Sequence, residues 1–177
     1  MKKTTLTHSL WVALFAVFFE IGSILAHAED GMATNKAQKV IGPEADGFQL
    51  TISTTNDVFQ IGQEIDLGVE IKNVSTNTRA IKLQDGLMNY TFHILGPNGT
   101  QAVPTELGKW VLHPVACYHQ SEENLGPGQS FGPPIPLNQM FVMTNAGEYT
   151  IQVWRDTYHK AVSAGPLKIR LVAPKLH

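Results

Sequence analysis

The chain has 177 residues, with 13 lysines and arginines, 15 aspartates and glutamates, and a formal charge of −2 at neutral pH. That balance offers no basic excess for a nucleic-acid backbone, so no nucleic-acid partner is expected. Cys117 is the single cysteine, which excludes an internal disulfide and leaves the fold to be held by its core.

The first 28 residues carry the pattern of an export signal. Lys2 and Lys3 form a short basic start, Leu10 to Phe19 is an unbroken apolar run, and Ala26-His-Ala28 supplies small-x-small cleavage chemistry. Residues 1–28 therefore read as a signal peptide, the mature chain starts at Glu29, and the protein is expected to be exported, periplasmic or secreted. Glu20 is the one charge that interrupts the apolar stretch. A membrane span needs about 20 apolar residues, and no later run approaches that length, so no span is expected after cleavage. Without Lys2, Lys3 and Glu20 the mature chain keeps 11 basic and 14 acidic residues. Residues 29–46 are polar and weakly patterned, a flexible N-terminal segment ahead of one domain over 47–174.

Phe48, Leu50 and Ile52 alternate with Gln49, Thr51 and Ser53. A period of two puts each set on its own face, so this is a first strand. Residues 54–57 turn the chain, and Phe59 and Ile61 lead into its clearest stretch. There Ile65, Leu67, Val69 and Ile71 alternate with Glu64, Asp66, Gly68, Glu70 and Lys72. Such a strand has one buried face and one wet face, and it must lay the first on another sheet. Residues 80–83 form a short strand that Asp85-Gly86 breaks. Tyr90, Phe92 and Ile94 alternate with Asn89, Thr91 and His93 in another. Pro97-Asn98-Gly99 follows, and Asn-Gly between extended segments signals a hairpin. Residues 101–103 are then the expected returning strand, ended by Pro104.

Residues 104–136 are irregular, with Trp110, Val111 and Leu112 expected to be partly buried. Phe131, Ile135 and Leu137 suggest a proline-interrupted strand, hence one at a sheet edge. After a turn at Asn145-Ala-Gly147, Tyr149, Ile151 and Val153 alternate with Glu148, Thr150 and Gln152. Residues 155–160 are the expected hairpin loop before a last strand through Leu167, Ile169 and Leu171. Gly147-Glu-Tyr149 has the form of the tyrosine corner of immunoglobulin-like sandwiches, an ordinary core tyrosine being the alternative. Seven to nine strands spaced by about ten residues, with no helical pattern, predict an all-β, antiparallel immunoglobulin-like β-sandwich. An open barrel is the other closure.

Four pieces carry a family resemblance: Phe59-Gln-Ile-Gly-Gln-Glu-Ile65 leading to Ile71-Lys-Asn-Val-Ser75, Tyr90 to Gly99, Leu125-Gly-Pro-Gly-Gln-Ser-Phe131, and Ala146 to Val153. Together they cover most of residues 48–172. The set resembles bacterial exported immunoglobulin-like domains and, more loosely, the bacterial intracellular proteinase inhibitor family. The motifs are strand-and-turn grammar, so the resemblance implies a fold and leaves function open.

One cluster is chemically suggestive: His113-Pro-Val-Ala-Cys117-Tyr-His119, with Met140 and Met143 as further donors. Imidazole, thiolate and thioether suit copper, and zinc accepts the first two. A Cys117–His119 nucleophile pair would need a base in reach and a third group to orient it. No elbow or flanking motif supplies these, so no enzyme is expected. Asp156-Thr-Tyr158-His159 lies in a loop at a sandwich end, where such domains bind partners. Trp154 continues the alternation on the side of Gln152, an exposed aromatic suited to an interface. Asn73-Val-Ser, Asn89-Tyr-Thr and Asn98-Gly-Thr match the N-glycan acceptor pattern and are expected to be unmodified turn and strand residues.

These features favour a non-catalytic, exported binding or accessory domain with no cofactor, recognising a protein or glycan through loops and an edge strand. The alternative is a periplasmic copper- or zinc-binding protein using His113, Cys117 and His119. A proteinase inhibitor presenting residues 104–134 is a further one.

Overall fold

The alternating stretches pair as their faces require. β2 (Phe48–Thr54) and β4 (Asp66–Asn73) run antiparallel with Leu50 opposite Ile71 and Ile52 opposite Val69. The computed structural model to which they belong describes residues 36–84, 87–113 and 120–174. The expected signal peptide, the start of the flexible segment, Asp85-Gly86, Cys117 and His119 lie outside the described residues.

Two sheets face each other across one core. The first has β1 (Gln38–Ala45) beside β2, then β4, and on the far side of β4 two short pieces, β8 (Ser130–Phe131) and β9 (Pro134–Pro136). The second has the order β3 (Val58–Gln60), β11 (Ala161–Val172), β10 (Gly147–Asp156) and β6 (Tyr90–Leu95). Leu50, Ile52, Leu67 and Ile71 of the first sheet are fully buried against Ile94, Ile151, Val153 and Leu167 of the second. A separate two-stranded ribbon joins β5 (Arg79–Gln84) to β7 (Gln120–Leu125). The chain is an all-β sandwich, with prolines 134 and 136 confined to the edge piece β9.

Tyr149 makes the corner. Its hydroxyl donates to the Asn145 carbonyl at 3.1 Å and accepts the Asn145 N–H at 3.3 Å, clamping the turn that launches β10. At the Pro97-Asn98-Gly99 hairpin the Gly99 N–H reaches the Gly96 carbonyl and the Gly96 N–H the Thr100 carbonyl, both at 2.9 Å.

Eleven strands stand among the described residues where seven to nine were expected. Residues 38–45, expected within a flexible segment, are β1, paired with β2 through a two-residue turn. Asp46 and Gly47 take φ of 52° and 71°, the left-handed pair of a type I′ hairpin, for which Asp-Gly is a preferred sequence. β1 kinks between Ile41 and Glu44 and passes so near β11 that a Cβ on Gly42 would lie 1.7 Å from the Ser163 carbonyl oxygen. The expected strand at 101–103 is reduced to a single bridge, Leu95 to Gln101, before Pro104 turns the chain away.

β3 leaves the first sheet and pairs parallel with β11 in the second, Phe59 opposite Leu171. Two helices also appear in the irregular middle, α1 (Glu106–Leu112) and α2 (Leu137–Met140). Thr105 caps α1, its hydroxyl accepting the Gly108 N–H at 3.0 Å. With seven residues α1 is too short to show a helical period. Val111 and Leu112 are partly buried as expected, but Trp110 is 65% exposed. Leu137, expected in the edge strand, opens α2.

Candidate functional site

The β10–β11 hairpin is longer and tighter than a loop over 155–160 would make it. Both strands stay paired to Asp156 opposite Ala161, and the Thr157 N–H bonds the Lys160 carbonyl at 3.0 Å. Arg155 continues the inward parity of Tyr149, Ile151 and Val153 and is only 1% exposed. Its Nη2 donates to the Lys82 carbonyl at 2.9 Å, and its guanidinium lies 4.7 Å from the centre of the Tyr90 ring. Asn89 Nδ2 takes the same Lys82 carbonyl at 3.0 Å. A buried cation thus locks the base of the hairpin to β5 and β6.

Beyond this anchor the hairpin tip bends over the β5–β7 ribbon. The Tyr158 hydroxyl bonds Glu122 Oε1, and Lys82 Nζ sits 4.7 Å from the Tyr158 ring centre. That hydrogen bond to a carboxylate holds the Tyr158 hydroxyl above its ordinary pKa, with slight burial and the Glu122 charge adding to it. On the other flank Asp46 takes Arg79 Nη1–H on one oxygen at 3.1 Å, and its other oxygen lies 3.1 Å from Thr157 Oγ1, whose single proton it shares with the Lys160 carbonyl. The tip is therefore held from both sides.

Between tip and ribbon lies an open depression of about 360 Å³, lined by Lys82, Gln84, Asn89, Asp156, Tyr158, His159 and Lys160 among others. Donors and acceptors of both charges face it, with Tyr158 as its aromatic wall. The structure thus brings Asp156, Tyr158 and His159 together on one surface. Trp154 does not join them. It lies half-buried on the outer face of the second sheet, edge-on to His93 with ring centres 6.4 Å apart. Lys82, Gln84 and Asn89 escaped the sequence reading because they come from a ribbon and a turn far away in the chain. No local spacing points to them.

Of the metal candidates, His113 is exposed and caps the C-terminus of α1, and Cys117 and His119 lie outside the described residues. Met140 and Met143 are buried in the core, where their thioethers pack. Among the described residues no three histidine, cysteine, aspartate or glutamate side chains gather as a metal site. Asn73 and Asn89 are buried hydrogen-bonding residues, while Asn98 sits at an exposed hairpin turn. Among the described residues no helix is long and apolar enough to cross a membrane. The chain matches no protein-family model and no curated protein.

Proposed function

We propose that this is an exported, non-catalytic binding domain that recognises a protein or glycan through the β10–β11 hairpin end and a neighbouring edge strand. The observation that carries the reading is the depression itself. Asp156, Tyr158, His159, Lys82, Gln84 and Lys160 converge there from two strands, β5 and β10, and a tight turn, and the turn is fixed by Arg155, Glu122 and Asp46. A polar wall with one aromatic ring on a rigid mount suits hydrogen-bonding ligands such as sugars or polar peptide surfaces. It lacks the apolar lining that marks sites for small hydrophobic molecules. Export rests on the Lys2-Lys3, Leu10–Phe19 and Ala26-His-Ala28 signature.

The test compares the mature protein with an Asp156→Ala, His159→Ala variant on a glycan array and in capture from an envelope extract. Both side chains are exposed, so the variant should keep its unfolding midpoint. The expected result is loss of the retained ligands in the variant. Identical ligand profiles for the two proteins would overturn the reading.

A further inference from the structure

The β5–β7 ribbon has two outer edges, and they differ. On the β5 side the Lys82 carbonyl is occupied by Asn89 Nδ2 and Arg155 Nη2, so it points away from β7. Residues of an antiparallel pair alternate between exchanging both bonds and turning both groups outward. Lys82 faces Glu122, Ala80 faces Asn124 and Gln84 faces Gln120. The outward set on β7 is therefore Gln120, Glu122 and Asn124, each directing its N–H and C=O away from β5. β7 pairs only with β5 among the described residues. Its register is continuous over all six residues, with no bulge and no proline, and five of the six are exposed.

Unpaired edges of this kind are templates for another strand unless something blunts them. The only charged groups on β7 itself are two carboxylates: Glu122, which faces Lys82 across the ribbon and holds the Tyr158 hydroxyl on Oε1, and Glu123, which faces Ile81. Carboxylates choose among partners. A second copy of β7 pairing antiparallel through the same outward set would, in its two central symmetric registers, set Glu122 against its own counterpart or Glu123 against its own, and like charges in opposite positions are destabilising. A strand carrying lysine or arginine meets the opposite balance. The far end of the template is anchored, since Leu125 is buried and its carbonyl takes Asn73 Nδ2 at 2.7 Å.

We propose that the outer edge of β7 binds an extended, cationic peptide segment by strand addition, main-chain bonds supplying affinity and Glu122 and Glu123 supplying selectivity. The proposal rests on the binding-domain reading and names the edge and the chemistry of its partner.

The probe is a fluorescently labelled octapeptide of alternating lysine and valine, titrated into the mature protein by anisotropy. Its glutamate–valine counterpart and a backbone N-methylated lysine–valine form serve as comparisons. The lysine–valine peptide should bind and the glutamate form should not. N-methylation should weaken binding about tenfold or more, the effect of losing one or two net hydrogen bonds. Asn124→Pro removes one outward N–H without touching the β5 ladder and should weaken binding similarly. Glu122→Gln with Glu123→Gln should abolish the salt dependence. No binding of the lysine–valine peptide, or equal binding of its N-methylated form, overturns the proposal, and the peptide comparison holds even if Asn124→Pro disturbs folding. The Asp156→Ala, His159→Ala variant should bind the peptide unchanged. Failure at the edge is thereby distinguished from failure of the hairpin site.

Discussion

Tyr90 and Arg155 show how a polar residue behaves when parity carries it inside. Burial raises the Tyr90 pKa above its ordinary value of 10.0, with the Arg155 charge opposing. Its hydroxyl has no hydrogen-bond partner among the described residues. The folded state holds the phenolic proton where the unfolded chain has begun to release it. Tyr90 therefore contributes stability that is complete below pH 10.0 and is lost as pH rises through the folded pKa. In Tyr90→Phe that part of the alkaline loss should vanish, while stability at neutral pH changes by no more than about 1 kcal/mol because an unpaired hydroxyl is removed. Urea unfolding of both proteins across an alkaline series checks this, and parallel decline would refute it. Arg155 was legible in principle, since the period of two through Tyr149, Ile151 and Val153 extends to it. Its charge argues for solvent, and only the Lys82 carbonyl and the Tyr90 ring explain why it is inside.

Strands were read well where burial is one-sided and poorly where it is not. β2, β4, β6 and β10 each carry their own alternation. β1 and β7 do not, because an edge strand with polar side chains on both faces is defined by its neighbour's backbone. A local signal for β1 did exist in Asp46-Gly47, the two-residue turn that pairs it with β2. The corner at Tyr149 is the clearest element-level device, joining a turn to the strand that follows it. Tyr149→Phe keeps the buried ring and removes two bonds to Asn145. It should cost about 1–2 kcal/mol of unfolding free energy in urea without altering the circular-dichroism spectrum. A change below a few tenths would show that the clamp is ornamental.

On the scale of the molecule, cohesion comes from a single apolar layer between the sheets, with β3 and β11 closing one side in parallel. With one cysteine in the chain, no covalent loop restricts the unfolded state. The midpoint of thermal unfolding of the monomeric mature protein should therefore be the same with and without reductant. A drop of several degrees on reduction would require a cross-link between chains. The three hairpin residues of the candidate site were placed together from their adjacency, whereas their ribbon-side partners were not.

The order of the amino acids by itself determined which face of β2, β4, β6 and β10 is hidden and where the chain turns at Asn98-Gly99 and before Tyr149, because alternation and turn chemistry act between near neighbours. Tertiary structure alone decided that Lys82 and Glu122 stand beside Tyr158, that β3 crosses to the opposite sheet and that β7 pairs along one edge only among the described residues. Those outcomes depend on register and pairing between distant segments, where each backbone group takes whichever partner the packed core leaves within reach.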